Sequence, residues 1–259
     1  MKVNKMSQIL LLLSLLSTGF LFAENWQIIS PGLEYGSFQL AVASEYGNSQ
    51  VDVIRIDPAQ YDFELLLASE NDQQNRKITD WVKDFKLTGA INAGMYQKDY
   101  STGTGYLVNY QHKNNPYQHS TYNMYFVCNP KIDGLPEAQM IDREQPGASE
   151  LIDKYHSVLQ CIRMMATGGK NVWTKKSQKW NEAALAQDTA GNILFIYCSS
   201  AYNMYDLVNL LKQLPLNLDK MMHLEGGPPA AIQVTTSDFD LLHPDDSTRI
   251  PNIIGIKGK

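Results

Sequence analysis

The sequence has little cysteine, no long apolar run after its first two dozen residues and no excess of positive charge. Its only cysteines are Cys128, Cys161 and Cys198 in 259 residues. In an oxidising compartment two of them could pair and leave one free, or all three could stay as buried thiols. The sequence does not choose between these outcomes. A chain of this length can bury a full hydrophobic core without a disulfide.

Lysine and arginine number 22 against 27 aspartates and glutamates, which gives a formal net charge of −5. An acidic chain without a basic cluster argues against nucleic acid or an anionic membrane as the main partner. The five histidines do not form HExxH or another metal-ligand spacing, and no GxSxG is present. We therefore expect neither a protein-built metal site nor a cofactor.

The N-terminus has the layout of a secretory signal peptide. Lys2 and Lys5 provide a positive start, residues 9–16 form a short leucine-rich core, and Ala23 is a small residue before a polar stretch. The apolar core is too short to span a bilayer comfortably. The pattern predicts a signal peptide over residues 1–23 and a single domain over residues 24–259. The mature protein would then be exported, periplasmic or secreted, without a stable membrane anchor.

Several stretches have strand patterns. Residues 51–57 (VDVIRID) and the following YDFELLLAS predict a hairpin, because β-branched and apolar residues dominate and Pro58 separates them. NEAALAQD and NILFIYCSS predict a second hairpin around the turn DTAG. Asp188 is therefore interpreted as a turn residue rather than a catalytic acid.

Helical patterns are fewer. The apolar residues of KITDWVKDF predict a helix over residues 78–85, and Asn203 is the expected N-cap of a second helix that stops at Pro215. A third is predicted between residues 149 and 155. Residues 109–146 indicate long ordered loops, rich in asparagine, proline and aromatic residues. Together these elements predict an α+β fold, with a mixed, largely antiparallel sheet and helices packed on it.

The stretch MMHLEGGPP near the C-terminus raises the question of a reactive carboxylate. If it is a strand, alternation places His223 and Glu225 on one face and Leu224 on the other. The strand would end at Gly226 and Gly227, where the backbone can approach a ligand closely. The same letters also fit a surface turn with an exposed glutamate.

Two further stretches suggest polar ligands. Asn92 follows a buried run and precedes Gly94 and Tyr96, so its amide could offer a donor and an acceptor. Arg163 lies inside an apolar run, where it needs either a structural carboxylate or an anionic ligand. The tyrosines and asparagines between residues 96 and 125 are typical of a sugar-contacting surface, or of loops that pack on themselves.

Taken together, the stretches NAGMY, AALAQDTAGNILFIY and YDLVNLLKQLPLNLDKMMHLEGGPPAAIQV resemble, in the same order, motifs of the phosphodiester glycosidase family. The opening ISPGLEYGSFQL and the closing RIPNIIGIKGK are similar to a bacterial branch. Three departures stand out. Residues 180–182 read Trp-Asn-Glu where many members carry an arginine just ahead of the strand, Glu225 replaces a commoner aspartate, and Pro228-Pro229 replace Gly-Ser.

The resemblance implies an exported hydrolase that cleaves the glycosidic C–O bond of a sugar-1-phosphodiester. It implies Glu225 as the key carboxylate beside the developing oxocarbenium ion, with Arg163 and His223 near the phosphate. Its implied partner is a carbohydrate or sugar phosphate, bound at Asn92, Gly94, Tyr96, Gly105, Gly226 and Gly227. Because fold does not fix function, the alternative is a non-catalytic secreted protein that binds a glycan or an envelope component.

Overall fold

The computed structural model describes residues 26–245 and 247–259. The predicted signal peptide, residues 1–23, lies outside them. In chain order the strands are β1 (Trp26–Ser30), β2 (Leu33–Gln39), β3 (Gln50–Ile56), β4 (Tyr61–Leu67), β5 (Gly89–Asn92), β6 (Leu107–Asn109), β7 (His112–Asn115), β8 (Met124–Pro130), β9 (Ala138–Asp142), β10 (Tyr155–Cys161), β11 (Arg163–Ala166), β12 (Lys170–Asn171), β13 (Trp180–Asp188), β14 (Ile193–Tyr202), β15 (Leu218–Gly226), β16 (Ile232–Thr235), β17 (Asp240–His243) and β18 (Asn252–Gly258). The helices are α1 (Ile78–Asp84), α2 (Ala148–Ile152) and α3 (Met204–Leu211).

The strands form three sheets. The large sheet has the order β1-β2-β3-β14-β13-β15-β11-β12, and two five-stranded sheets have the orders β7-β6-β10-β8-β9 and β17-β16-β5-β18-β4. Every strand pairing recorded between these named strands is antiparallel. The three described helices hold only 7, 5 and 8 residues. The expected α+β class is therefore wrong, and the described chain is a mostly β protein.

The helices sit at the outside of these sheets. α1 packs beside the sheet that contains β5 and β18, α2 packs beside β9 and β10, and α3 packs on the outer face of the large sheet. The opposite face of the large sheet meets both five-stranded sheets in one shared core, which includes Phe63, Phe126 and Phe195. Because the two five-stranded sheets cover this face, the apolar side chains of the shared core are buried mainly by contacts between sheets.

Local predictions succeed where the partners are close in sequence. β13 and β14 form the predicted hairpin, and Asp188 at its turn accepts hydrogen bonds from the backbone N–H groups of Ala190 and Asn192. The predicted helices appear as α1, α2 and α3, and the Oδ1 of Asn203 caps α3 by accepting from the N–H of Asp206. These contacts depend on residues only a few positions apart.

Two other predictions are wrong. β3 pairs with β2 and β14, whereas β4 pairs with β18, so the expected hairpin of these neighbours does not form. Residues 109–146, expected to be loops, contain β7, β8 and β9. The first error concerns strands with distant partners, because Tyr61 of β4 pairs with Gly258 of β18. The second does not, because β8 pairs with the next strand, β9, and the error comes from reading asparagine- and proline-rich segments as loops.

The three cysteines are free and buried, which resolves the alternative in favour of buried thiols. Burial raises the pKa of the Cys198 thiol to about 12, and it raises the pKa of the other two further. Such thiols stay neutral and behave as small apolar side chains. Within residues 26–245 and 247–259, no helix combines the length and apolarity needed to cross a bilayer.

Candidate active site

Strand β15 does not keep its alternation up to Glu225. Ala184 pairs with His223, but Ala183 pairs with Glu225, so Leu224 is one extra residue on β15. Such a β-bulge bends a strand and changes the direction of the side chain that follows. The expectation that His223 and Glu225 share a face is therefore wrong. The bulge puts Glu225 on the face of Ala183, toward the shared core of the three sheets.

Glu225 lies half-buried on this face, where its charge acts on Tyr96 and Cys161. Its negative charge contributes to a raised pKa of both side chains, although burial is the larger cause in each. The pKa of Glu225 itself is raised by burial, while the backbone N–H of Gly226, which donates to Oε1 at 3.0 Å, and His223 oppose the rise. Glu225 is thus a carboxylate that is partly buried but still accessible to solvent.

The loop after Glu225 is anchored at both ends by asparagine side chains. Asn92 donates through Nδ2 to the carbonyl of Pro229 at 2.8 Å and accepts through Oδ1 from the N–H of Ala231 at 2.7 Å. Asn181 likewise donates to the carbonyl of Gly227 and accepts from its N–H at 2.6 Å. Gly227 has φ of +74°, a conformation that favours glycine. These bonds fix the loop that borders the carboxylate.

Glycines let other segments approach closely around the same place. A Cβ on Gly94, whose φ is +78°, would lie 2.6 Å from the sulfur of Cys161. A Cβ on Gly105 would lie 2.2 Å from the carbonyl oxygen of Gln160, and one on Gly226 would lie 2.5 Å from the ring of Trp180. These three positions therefore have no room for a side chain, which explains the glycines in the motifs.

On the other face of β15, His223 forms a buried pair with Glu182. Nδ1 of His223 lies 2.6 Å from Oε1 of Glu182, and the indole N–H of Trp180 donates to Oε2 at 3.0 Å. Burial raises the pKa of Glu182, and His223 and Trp180 offset only part of the rise. Burial alone would lower the pKa of His223, but the charge and hydrogen bond of Glu182 raise it overall. The pair leaves Nε2 as the histidine nitrogen available to another molecule.

Arg163, the third predicted catalytic residue, begins β11 and points elsewhere. Its Nη1 lies 2.7 Å from Asp142 and 2.8 Å from Glu144. Within the described residues no ion pair joins it to Glu225. Its neighbour Ile162 nevertheless accepts the backbone N–H of His223 at 3.0 Å, so the start of β11 borders the pair.

Glu182 is the site residue that sequence reasoning missed. In the sequence, Glu182 belongs to the three residues that stand where many family members carry an arginine, just before the predicted strand AALAQD. The available signal was a single glutamate directly before a run of four apolar residues, AALA, at positions 183–186. A fully buried glutamate needs a partner, and that partner, His223, lies 41 positions away.

The described fold and site define a mostly β protein whose half-buried carboxylate lies next to a buried glutamate–histidine pair. The phosphodiester glycosidase family model matches residues 85–257. The chain belongs to this family, and the family is one of glycosidase-type hydrolases. The match takes in β5, β13 and β15, and with them every predicted site residue.

Two solved structures share the fold. One is the catalytic domain of zebrafish N-acetylglucosamine-1-phosphodiester alpha-N-acetylglucosaminidase, auto-inhibited by its pro-peptide. It is 11% identical, with a TM-score of 0.63, over 90% of this chain and 86% of that one. The other is a hypothetical protein from Synechocystis, 14% identical with a TM-score of 0.61, over 89% of this chain and 63% of that one. No curated protein matches the sequence significantly.

Proposed function

We propose that this protein is an exported hydrolase that cleaves the bond between the anomeric carbon of a sugar and a phosphodiester oxygen. The observation that carries the proposal is the β-bulge at Leu224, which turns Glu225 onto the face of Ala183 directly before an anchored glycine loop. A carboxylate there can stabilise the positive charge that develops on the sugar ring. The family membership supplies the reaction class.

The reaction balances with water as the only co-substrate. The anomeric C–O bond breaks, and the phosphate leaves with the bonding electron pair as a stable anion. Water adds its hydroxyl group to the anomeric carbon and gives its proton to Glu225 or to solvent. Because the departing phosphate is a weak base, it needs little protonation as the C–O bond breaks, so a single open carboxylate is sufficient. In this proposal His223 is an imidazolium that Glu182 holds in place, and its positive charge stabilises the negative charge of the departing phosphate.

The test is the release of free sugar from a panel of sugar-1-phosphodiesters and nitrophenyl glycosides, with both products identified by mass. Glu225→Gln should lower kcat/KM by roughly 10³-fold, because the amide keeps the shape and loses the charge. The control is Glu150→Gln, an exposed glutamate of α2, which should match the wild type. A Glu225→Gln protein as active as the wild type would refute the assignment. Glycan binding without turnover would favour the non-catalytic alternative.

Export is the second part of the proposal and is supported by the sequence alone. The positive start, short apolar core and small residue at Ala23 have the layout of a signal peptide. The mature chain would begin at Glu24. N-terminal sequencing of the protein from periplasmic and culture fractions should give that residue, whereas an intact Met1 in all fractions would contradict export.

A further inference from the structure

The loop between β5 and β6, residues 93–106, presents an exposed aromatic ring to solvent. Tyr100 in this loop is 66% exposed. Its φ is +58°, a conformation that bulky residues rarely adopt. Such a conformation costs free energy, and residues held in it cluster at sites that bind or react. The hydrolytic step proposed at Glu225 does not use Tyr100, so another role has to account for it.

Hydrogen bonds hold this loop in one shape around Tyr100. Oδ1 of Asp99 accepts from the backbone N–H of Ser101 at 3.1 Å, which closes the turn. Nδ2 of Asn75 donates to the carbonyl of Tyr100 at 2.7 Å, and Nδ2 of Asn114 donates to the carbonyl of Ser101 at 3.1 Å. A ring on a loop that is already ordered loses little conformational freedom when it binds a ligand.

Tyr96, near the start of the same loop, supplies a second ring. The ring centres of Tyr96 and Tyr100 are 6.0 Å apart, with an angle of 46° between the ring planes. Tyr96 is half-buried, and an isolated β-bridge to Gly103 fixes its backbone. A tyrosine ring combines an apolar face with a polar hydroxyl group, which suits the alternation of C–H faces and hydroxyl groups on a sugar ring. We call Tyr96 and Tyr100 the tyrosine platform.

The segment that leads into the tyrosine platform is tied to the candidate active site. Asn92, the last residue of β5, anchors the loop after Glu225 through two hydrogen bonds, and Tyr96 follows four positions later. Gly94, between them, approaches the sulfur of Cys161 closely. The charge of Glu225 acts on both Cys161 and Tyr96. The tyrosine platform therefore starts within reach of the charge of Glu225 and leads outward to solvent.

The position of the tyrosine platform indicates which half of the substrate meets it. In the proposed reaction His223 stabilises the departing phosphate, and His223 lies on the other face of β15 from Glu225. Glu225 faces the shared core, and β5, which leads into the platform, belongs to one of the sheets that cover this face. The platform thus lies on the side of the glycosyl group, away from the phosphate.

We propose that the tyrosine platform is a subsite for a second sugar ring, so that the glycosyl group of the substrate is an oligosaccharide. The inference rests on the proposed function, which places the reacting sugar at Glu225. That sugar contacts Tyr96, and the second sugar stacks on Tyr100. Asn75 and Arg249, whose Nη1 donates to the carbonyl of Asn75 at 3.1 Å, supply polar groups for its hydroxyls. Tyr100 then sets the preferred glycan length and takes no part in bond cleavage.

Tyr100→Gly is the variant that tests the subsite, because glycine suits a positive φ and the ring is lost without added strain. The matched control is Tyr110→Gly. Tyr110 is 52% exposed, has φ of +50° and stacks on His156, at the opposite end of β10 from Cys161. Tyr100→Phe keeps the stacking ring and loses only the hydroxyl group. Thermal unfolding should show that all three variants are folded.

The first experiment measures binding without turnover. Calorimetry on the purified protein uses two series of sugars: glucose, maltose and maltotriose, and N-acetylglucosamine with its β-1,4-linked dimer and trimer. In one series the dimer should bind the wild type roughly tenfold more tightly than the monomer, or by about 1.4 kcal/mol. Tyr100→Gly should remove this gain and affect the monomer far less, whereas Tyr100→Phe and Tyr110→Gly should keep it. No gain from the second ring in either series, or equal losses in the two glycine variants, would overturn the subsite.

The second experiment separates the subsite from the reaction. Nitrophenyl glycosides of the same monomers and dimers share one leaving group, so a preference for the dimer reports on the glycosyl side alone. Tyr100→Gly should lower kcat/KM for the preferred dimer roughly tenfold, to near that of the monomer. Hydrolysis without any preference for the dimer would refute the subsite and keep the proposed function. Tyr100-dependent binding of the dimer without hydrolysis of any glycoside or sugar-1-phosphodiester would keep the subsite and refute the proposed function.

Discussion

Glu182 and Glu225 lie at the same end of two paired strands, yet their surroundings differ. Glu182 is fully buried, and both of its oxygens have a partner, His223 and Trp180. Glu225 keeps some exposure and receives one hydrogen bond from the N–H of Gly226. Burial raises the pKa of both carboxyl groups. The comparison shows that burial alone does not identify a reactive carboxylate, because a fully satisfied one cannot reach a substrate.

The largest expected difference between the two glutamates is in stability. Glu182→Leu leaves His223 and Trp180 without their buried partner and should lower the free energy of unfolding by about 3–5 kcal/mol. Glu225→Gln removes a poorly solvated charge and should change it by about 1 kcal/mol or less. Urea unfolding at neutral pH measures both. Equal losses in the two variants would show that the two carboxylates have the same structural role.

An intermediate loss of stability is expected when the loop after Glu225 loses the side chain of Asn92 that anchors it. Asn92→Ala leaves the carbonyl of Pro229 and the N–H of Ala231 without partners, which should cost about 1–3 kcal/mol of unfolding free energy. Because this loop borders Glu225, kcat/KM should also fall. Asn203→Ala, which removes the N-cap of helix α3, is the control. It should cost about 1 kcal/mol and leave kcat/KM unchanged. The same activity loss in both variants would contradict a local role for Asn92.

The smallest expected effect is a shift in the pH dependence of kcat/KM. Glu182→Gln removes the charge that outweighs burial at His223, so the pKa of His223 should fall. If the imidazolium serves the phosphate, the alkaline limb of kcat/KM moves to lower pH, with little change at the optimum. The stability contributed by His223 is full below its unfolded pKa of 6.5 and is lost as pH rises through its raised folded pKa. The unfolding free-energy difference between wild type and His223→Gln should therefore shrink as pH rises. An unmoved alkaline limb would exclude this role.

Patterns that depend on near neighbours were readable from the sequence. The hairpin of β13 and β14, its Asp188 turn and the Asn203 cap of α3 each join residues a few positions apart. The order of the motifs was enough to indicate the family. The fold class was not readable, because residues 109–146 hold β7, β8 and β9 where their asparagine- and proline-rich composition indicated loops.

The sequence by itself determined which residues are chemically able to act. They are Glu225 before two glycines, Asn92 shortly before Gly94, and Arg163 in an apolar run. Only the tertiary structure decided what they do. Pairing of β13 with β15 places the extra residue at Leu224 and so puts Glu225 and His223 on different faces of β15. The same pairing brings Glu182 to His223 across 41 positions. Strand register is a non-local property, since it depends on which strands meet, and one residue of shift changes the face on which a side chain lies.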